Sequence, residues 1–146
     1  MGLYFEDFVP GARYESATRT LAAADIEGFA AVSGDHHPMH SDPATARAAG
    51  FPGVVAHGVL GLAVATGLAG RLGLTHGTLI ALVGVTWRFK APLLPGDTVT
   101  TQLVVRECRP TSRADRGLVT LAVALYNQRG ELVQDGEWVE LIRRRE

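Results

Sequence analysis

The run from Gly58 to Gly70, GVLGLAVATGLAG, carries no charged residue at any position. Wound as a helix, it offers water no polar face, so other structure has to enclose it. It is too short to cross a bilayer. The spacing predicts a buried helix over 58–72. Beyond it the apolar period changes from that of a helix to two. Strands are expected over 79–90, 98–108, 118–126 and 131–142, with Val119, Leu121, Val123 and Leu125 on one face. Pro92 to Asp97 reads as a turn, and Asn127-Gln128-Arg129-Gly130 as a hairpin. One apolar helix followed by antiparallel strands implies an α+β chain whose sheet curls around the helix. A single such sheet leaves an open edge, and pairing with a second copy closes it, so a homodimer is expected.

The amino-terminal half reads differently. Residues 4–14 look extended, with a turn at Pro10-Gly11. Residues 20–33 have helical spacing at Ile26, Phe29 and Ala30, with Asp25 and Glu27 facing away and Gly34 as the stop. SGDHHPMHSDP holds two prolines and is a loop, followed by one or two helical turns over 43–49, capped by Asp42 with Pro43 first. GFPGVVAHG is a second loop. No repeat or linker divides the chain, so 1–146 is read as a single domain.

Composition narrows the function. Net charge is −1, and Lys90 is the only lysine. That leaves no basic footprint for nucleic acid and no polybasic membrane patch. Cys108 is alone, which excludes an intrachain disulfide and a cysteine zinc site and suits a reducing, cytoplasmic setting. MGLYFEDFVPG has Glu6 and Asp7 where a signal peptide would be basic, so no leader is expected.

The densest polar cluster is Ser33-Gly34-Asp35-His36-His37-Pro38-Met39-His40. Pro38 breaks any helix through it, so the loop can bend Asp35 and His40 toward one spot. A carboxylate and an imidazole sharing a water form a workable acid–base pair. Ala56-His57-Gly58 opens the buried helix, where backbone N–H groups lack partners and the dipole is positive. Gly58 has no side chain to keep a carbonyl oxygen away. An acid–base loop beside an anion-stabilising helix end suits addition or removal of water β to a carbonyl. Ser33, His37 and His57 flank the pair as candidate substrate contacts. The histidine cluster with Asp35 is formally able to hold a metal.

SGDHHPMHSD resembles the (S/T)-G-D-x-N-P-(hydrophobic)-H signature of the MaoC-like hydratases, which include the R-specific enoyl-CoA hydratases. YFEDFVPG, PGVVAHGVLG and WRFKAPLLPGDTV resemble further blocks of that family, in family order between residues 4 and 100. The resemblance implies a hotdog fold, a dimer, and syn hydration of trans-2-enoyl-CoA without metal or other cofactor, CoA being part of the substrate. It maps Asp35 and His40 onto the catalytic pair and Gly58 onto the backbone oxyanion donor. His37 stands where the family has Asn, which implies retained chemistry with altered fit. Thioesterases and acyl-carrier-protein dehydratases of this fold carry an acid on the central helix, and Gly58 to Gly70 has none. A non-catalytic acyl-binding subunit is the third reading. Arg88 and Lys90 are candidate contacts for CoA phosphates.

Overall fold

The computed structural model describes residues 1–145. Short strands β1 (Arg13–Glu15) and β2 (Arg19–Thr20) precede helices α1 (Ala23–Ser33), α2 (Pro43–Ala48) and α3 (Gly58–Arg71). Four long strands follow: β3 (Leu79–Phe89), β4 (Thr98–Pro110), β5 (Arg116–Tyr126) and β6 (Leu132–Arg143). All pair antiparallel in the order β1-β4-β5-β6-β3, with β2 added on β4.

Alternation on the long strands decides which face meets α3. Val119, Leu121, Val123 and Leu125 of β5 are buried, as are Trp138 and Ile142 of β6. They share one core with Leu60, Val64, Ala65 and Leu68 of α3. Gln134 fixes the start of the helix to the sheet. Its Nε2 donates to the Gly58 carbonyl at 3.0 Å, and its Oε1 accepts from Trp87 Nε1 at 2.8 Å. Gly61 leaves the passage for that side chain, since a Cβ there would run into it.

Several expectations shift. The helix expected from residue 20 starts at Ala23, because Arg19 and Thr20 pair with β4 instead. The Asp25 carboxylate turns back to accept from the Ala22 N–H at 2.8 Å and from Arg19 at 2.9 Å. Residues 5–7, expected to be extended, form a 3₁₀ turn. The interval left between the strands expected over 98–108 and 118–126 shrinks, since β4 runs to Pro110 and β5 starts at Arg116. Asp42 caps α2 as expected, its carboxylate accepting from the Ala44 and Thr45 N–H groups, a cap worth about 1 kcal/mol.

The largest shift concerns α3, which its own chain does not enclose. Val59, Ala63, Thr66, Gly67 and Gly70 form one exposed stripe at helical spacing. Beside it β3 is an outer strand, bonded among the described residues to β6 alone, with Leu79, Leu82, Val83, Val85 and Phe89 exposed. An apolar helix stripe continuous with an apolar open edge asks for a cover.

One core-facing position on β6 is an acid. Glu140 is buried, its Oε2 has no hydrogen-bond partner among the described residues, and burial pushes its carboxyl up to about 6. From the ordinary glutamate range up to about pH 6 the folded chain keeps a proton that the unfolded chain has released. Stability therefore falls as pH rises through that window, and above it the native state carries the buried charge. Glu140→Gln should stabilise the protein by about 2 kcal/mol at about pH 8 and by almost nothing at about pH 4. Urea unfolding at both pH values checks this, and an equal gain at the two would contradict it.

Candidate active site

The 33–40 loop is built by its own short-range bonds. Gly34 ends α1 in the left-handed region, at φ 75°. The Ser33 hydroxyl donates to the Phe29 carbonyl at 2.6 Å and accepts from the Asp35 N–H at 3.1 Å. It shapes the turn that presents Asp35. The Asp35 carboxylate accepts from the His37 N–H at 3.1 Å. Pro38 to His40 form a 3₁₀ turn, capped by His37 Nδ1, which accepts from the Met39 N–H at 3.3 Å.

Two carbonyls fix the imidazoles beside this loop. His40 Nδ1 lies 2.7 Å from the Val55 carbonyl oxygen. A carbonyl only accepts, so Nδ1 carries the proton and Nε2 of the neutral ring keeps its lone pair free. His57 Nε2 lies 2.9 Å from the Asp35 carbonyl oxygen and must donate to it. The two rings stack at 3.7 Å and 24°, and Phe29 lies on the other contact of His57 at 4.8 Å. His57 is 3% exposed. It therefore ties the Asp35 backbone to the start of α3 and backs the His40 ring, in the position of a support rather than of a substrate contact.

Asp35, His40 and His57 each bring one oxygen or nitrogen to within 4.8 Å of the others. His40 and Gly58 line one cleft of about 370 Å³, together with Val55, Phe89, Lys90 and Gln134. Gly58 is the first residue of α3, so its N–H has no partner within the helix. A Cβ at Gly58 would meet the Phe89 ring at 2.8 Å, so glycine admits that ring to the cleft wall. The imidazole, the helix end and Lys90 thus face one space. Arg88 is not part of this wall; it is exposed and approaches Asp135 at 3.5 Å on the other face of the sheet. His37 stays exposed, its ring 6.3 Å from that of His40.

The same donor set is poorly arranged for a metal. The stacked His40 and His57 rings lie nearly parallel, so their in-plane lone pairs do not converge on one point. One nitrogen of each is already held by a backbone carbonyl. Tetrahedral ligation needs convergent donors about 2 Å from the ion, and this arrangement fits an ion poorly.

Sequence reading missed Gln134 and the Val55 carbonyl. A glutamine within an apolar strand was the available signal for the first; a backbone carbonyl leaves none.

The helix wrapped by an antiparallel sheet is a hotdog fold. A Mycobacterium tuberculosis protein described as having a double hotdog fold superposes with a TM-score of 0.83 at 24% identity, over 99% of this chain and 45% of that one. Residues 7–126 match the model of the MaoC-like domain, and the chain belongs to that family. It is 33% identical over 122 residues to an (R)-specific enoyl-CoA hydratase of Aeromonas caviae, covering 84% of this chain and 87% of the relative. A MaoC-like dehydratase from Rhodospirillum rubrum superposes with a TM-score of 0.89 at 33% identity over 99% of both chains. No described helix is long and apolar enough to cross a membrane.

Proposed function

We propose that the protein is a hydro-lyase that adds water to a trans-2-enoyl-CoA, or removes it from the 3-hydroxyacyl-CoA, with Asp35 and His40 as its acid–base pair. The observation that carries this reading is the fixed His40 tautomer. Its free Nε2 belongs to a ring that shares one cleft wall with the Gly58 N–H, and a carboxylate lies within 4.8 Å. In hydration, a water held between Asp35 and His40 gives up a proton as its oxygen bonds to the β-carbon. The C=C electron pair moves toward the thioester, and the enolate oxygen is stabilised by the Gly58 N–H and the helix dipole. A proton returns to the α-carbon from the same pair. The hydratase relative supports an R-configured product. Lys90 in the cleft wall is placed to meet a CoA phosphate.

The test is loss of the enoyl thioester absorbance of crotonyl-CoA with formation of 3-hydroxybutyryl-CoA, with and without a chelator. Release of free thiol would make the protein a thioesterase, and activity lost to the chelator with stoichiometric metal would overturn metal-free catalysis.

The working form is a homodimer closed by antiparallel pairing of β3 with its copy. The apolar edge and the exposed α3 stripe support it. Val83→Lys combined with Val85→Lys should give a monomer by sedimentation at micromolar concentration, with activity lost alongside. A doubly substituted chain that still sediments as a dimer would contradict this interface.

His37→Asn should keep most of the turnover, because an amide oxygen caps the 3₁₀ turn as Nδ1 does. Crotonyl-CoA turnover checks this: a loss as large as that of His40→Ala would give the ring a part beyond capping the turn.

A further inference from the structure

Far from the catalytic loop, a second cavity of about 150 Å³ lies between the carboxyl-terminal half of α3 and the inner face of the sheet. Thr66 and Gly70 line it from the helix, Leu79 and Leu82 from β3, and Trp138 and Glu140 from β6. Most of its wall is apolar. Two of these lining residues carry a polar atom that is buried without a partner among the described residues: Glu140 Oε2 and Trp138 Nε1. Trp138 is 2% exposed and Glu140 9%. Buried donors and acceptors are almost always paired, and leaving one unpaired costs about 1 to 3 kcal/mol. The proposed catalytic chemistry uses neither group.

We infer that this cavity receives the far end of the acyl chain, and that the chain it selects ends in a hydroxyl. A hydroxyl both donates and accepts, so it complements a carboxyl oxygen and an indole N–H on one wall. An alkyl end would leave both polar groups unpaired. A carboxylate end would set a second anion beside Glu140.

The inference rests on the proposed activity and on the dimer. Antiparallel pairing of β3 about its midpoint, near Gly84, brings Leu79 and Leu82 of one copy opposite the other copy's Phe89 end. Phe89 lines the catalytic cleft and the two leucines line the cavity. A chain held at one protomer's helix start can therefore run across the interface into the other's cavity.

Calorimetry on the full chain with saturated acyl-CoA thioesters tests this without requiring turnover. Each plain chain in a length series is compared with its ω-hydroxy counterpart. Beyond the length that reaches the cavity, the hydroxylated chain should bind about tenfold more tightly, the size expected of one or two buried hydrogen bonds. Glu140→Leu should reverse that preference and Glu140→Gln should retain part of it. The ratio of affinities, rather than either affinity, is the readout, so a general loss of stability does not imitate the result. Equal or weaker binding of hydroxylated chains at every length overturns the inference, as does a preference that survives Glu140→Leu. Water alone in the cavity would give the first of these results. Failure to hydrate crotonyl-CoA counts against the activity and leaves the calorimetric comparison standing.

Discussion

Asp35→Asn and His40→Ala should each lower kcat/KM on crotonyl-CoA by about 10² to 10⁴. Asp35 is exposed and, among the described residues, its carboxylate bonds only to the His37 N–H, so the Asn variant should unfold at a nearly unchanged urea midpoint. His40→Ala also removes the stack on His57 and the bond to Val55, and a modest loss of stability should accompany its larger loss of rate. The double variant should be about as slow as the worse single one, because in the proposed mechanism the two groups handle the same water and proton. Additive losses would mean that they act in separate steps. A variant of either kind with near wild-type kcat/KM would remove that residue from the mechanism.

Gly136→Ala should cost about 3 kcal/mol or prevent folding. Gly136 faces Trp87 on β3, and a Cβ built there would fall on the Thr86 carbonyl oxygen, a backbone atom that cannot rotate aside. Seating it requires β3 to move away from β6. That movement would disturb the bond from Trp87 to Gln134, and with it the anchor on Gly58. Gly28 is the contrast: it lies within α1, and none of the described residues comes within 4 Å of its missing Cβ. Gly28→Ala should therefore stabilise the chain by about 1 kcal/mol. Urea midpoints of the two variants moving in the same direction would refute this account of the sheet.

What the sequence made legible follows the strength of local signals. The apolar run of α3, the change to alternating strands, the Asp42-Pro43 start of α2 and the Gly34 stop each act within a few residues, and each is present in the fold. β1 and β2 are three and two residues long and exist only through pairing with β4, which local pattern cannot foretell. The open stripe of α3 was illegible for a different reason: apolar composition says that a surface wants cover, not which chain supplies it. At the site, the Asp35–His40 neighbourhood was readable from the proline-broken loop and from a family likeness. The role of His57 was not, because a histidine beside a helix start looks the same whether its ring faces substrate or a carbonyl. Glu140 could have been found, since Trp138, Glu140 and Ile142 share one phase of the alternation and two of the three are core residues.

The bond from His57 to the Asp35 carbonyl has a consequence for how the protein fails. The loop that carries Asp35 and His40 is tied down: its backbone is held by His57 at the N-cap of α3, and its imidazole rests on that ring, which is buried against Phe29. On the proposed mechanism, such a centre is assembled before substrate arrives and needs no closing step. On heating, activity and tertiary structure should disappear over the same few degrees, because the reactive pair loosens only when the helix that anchors it comes away from the sheet.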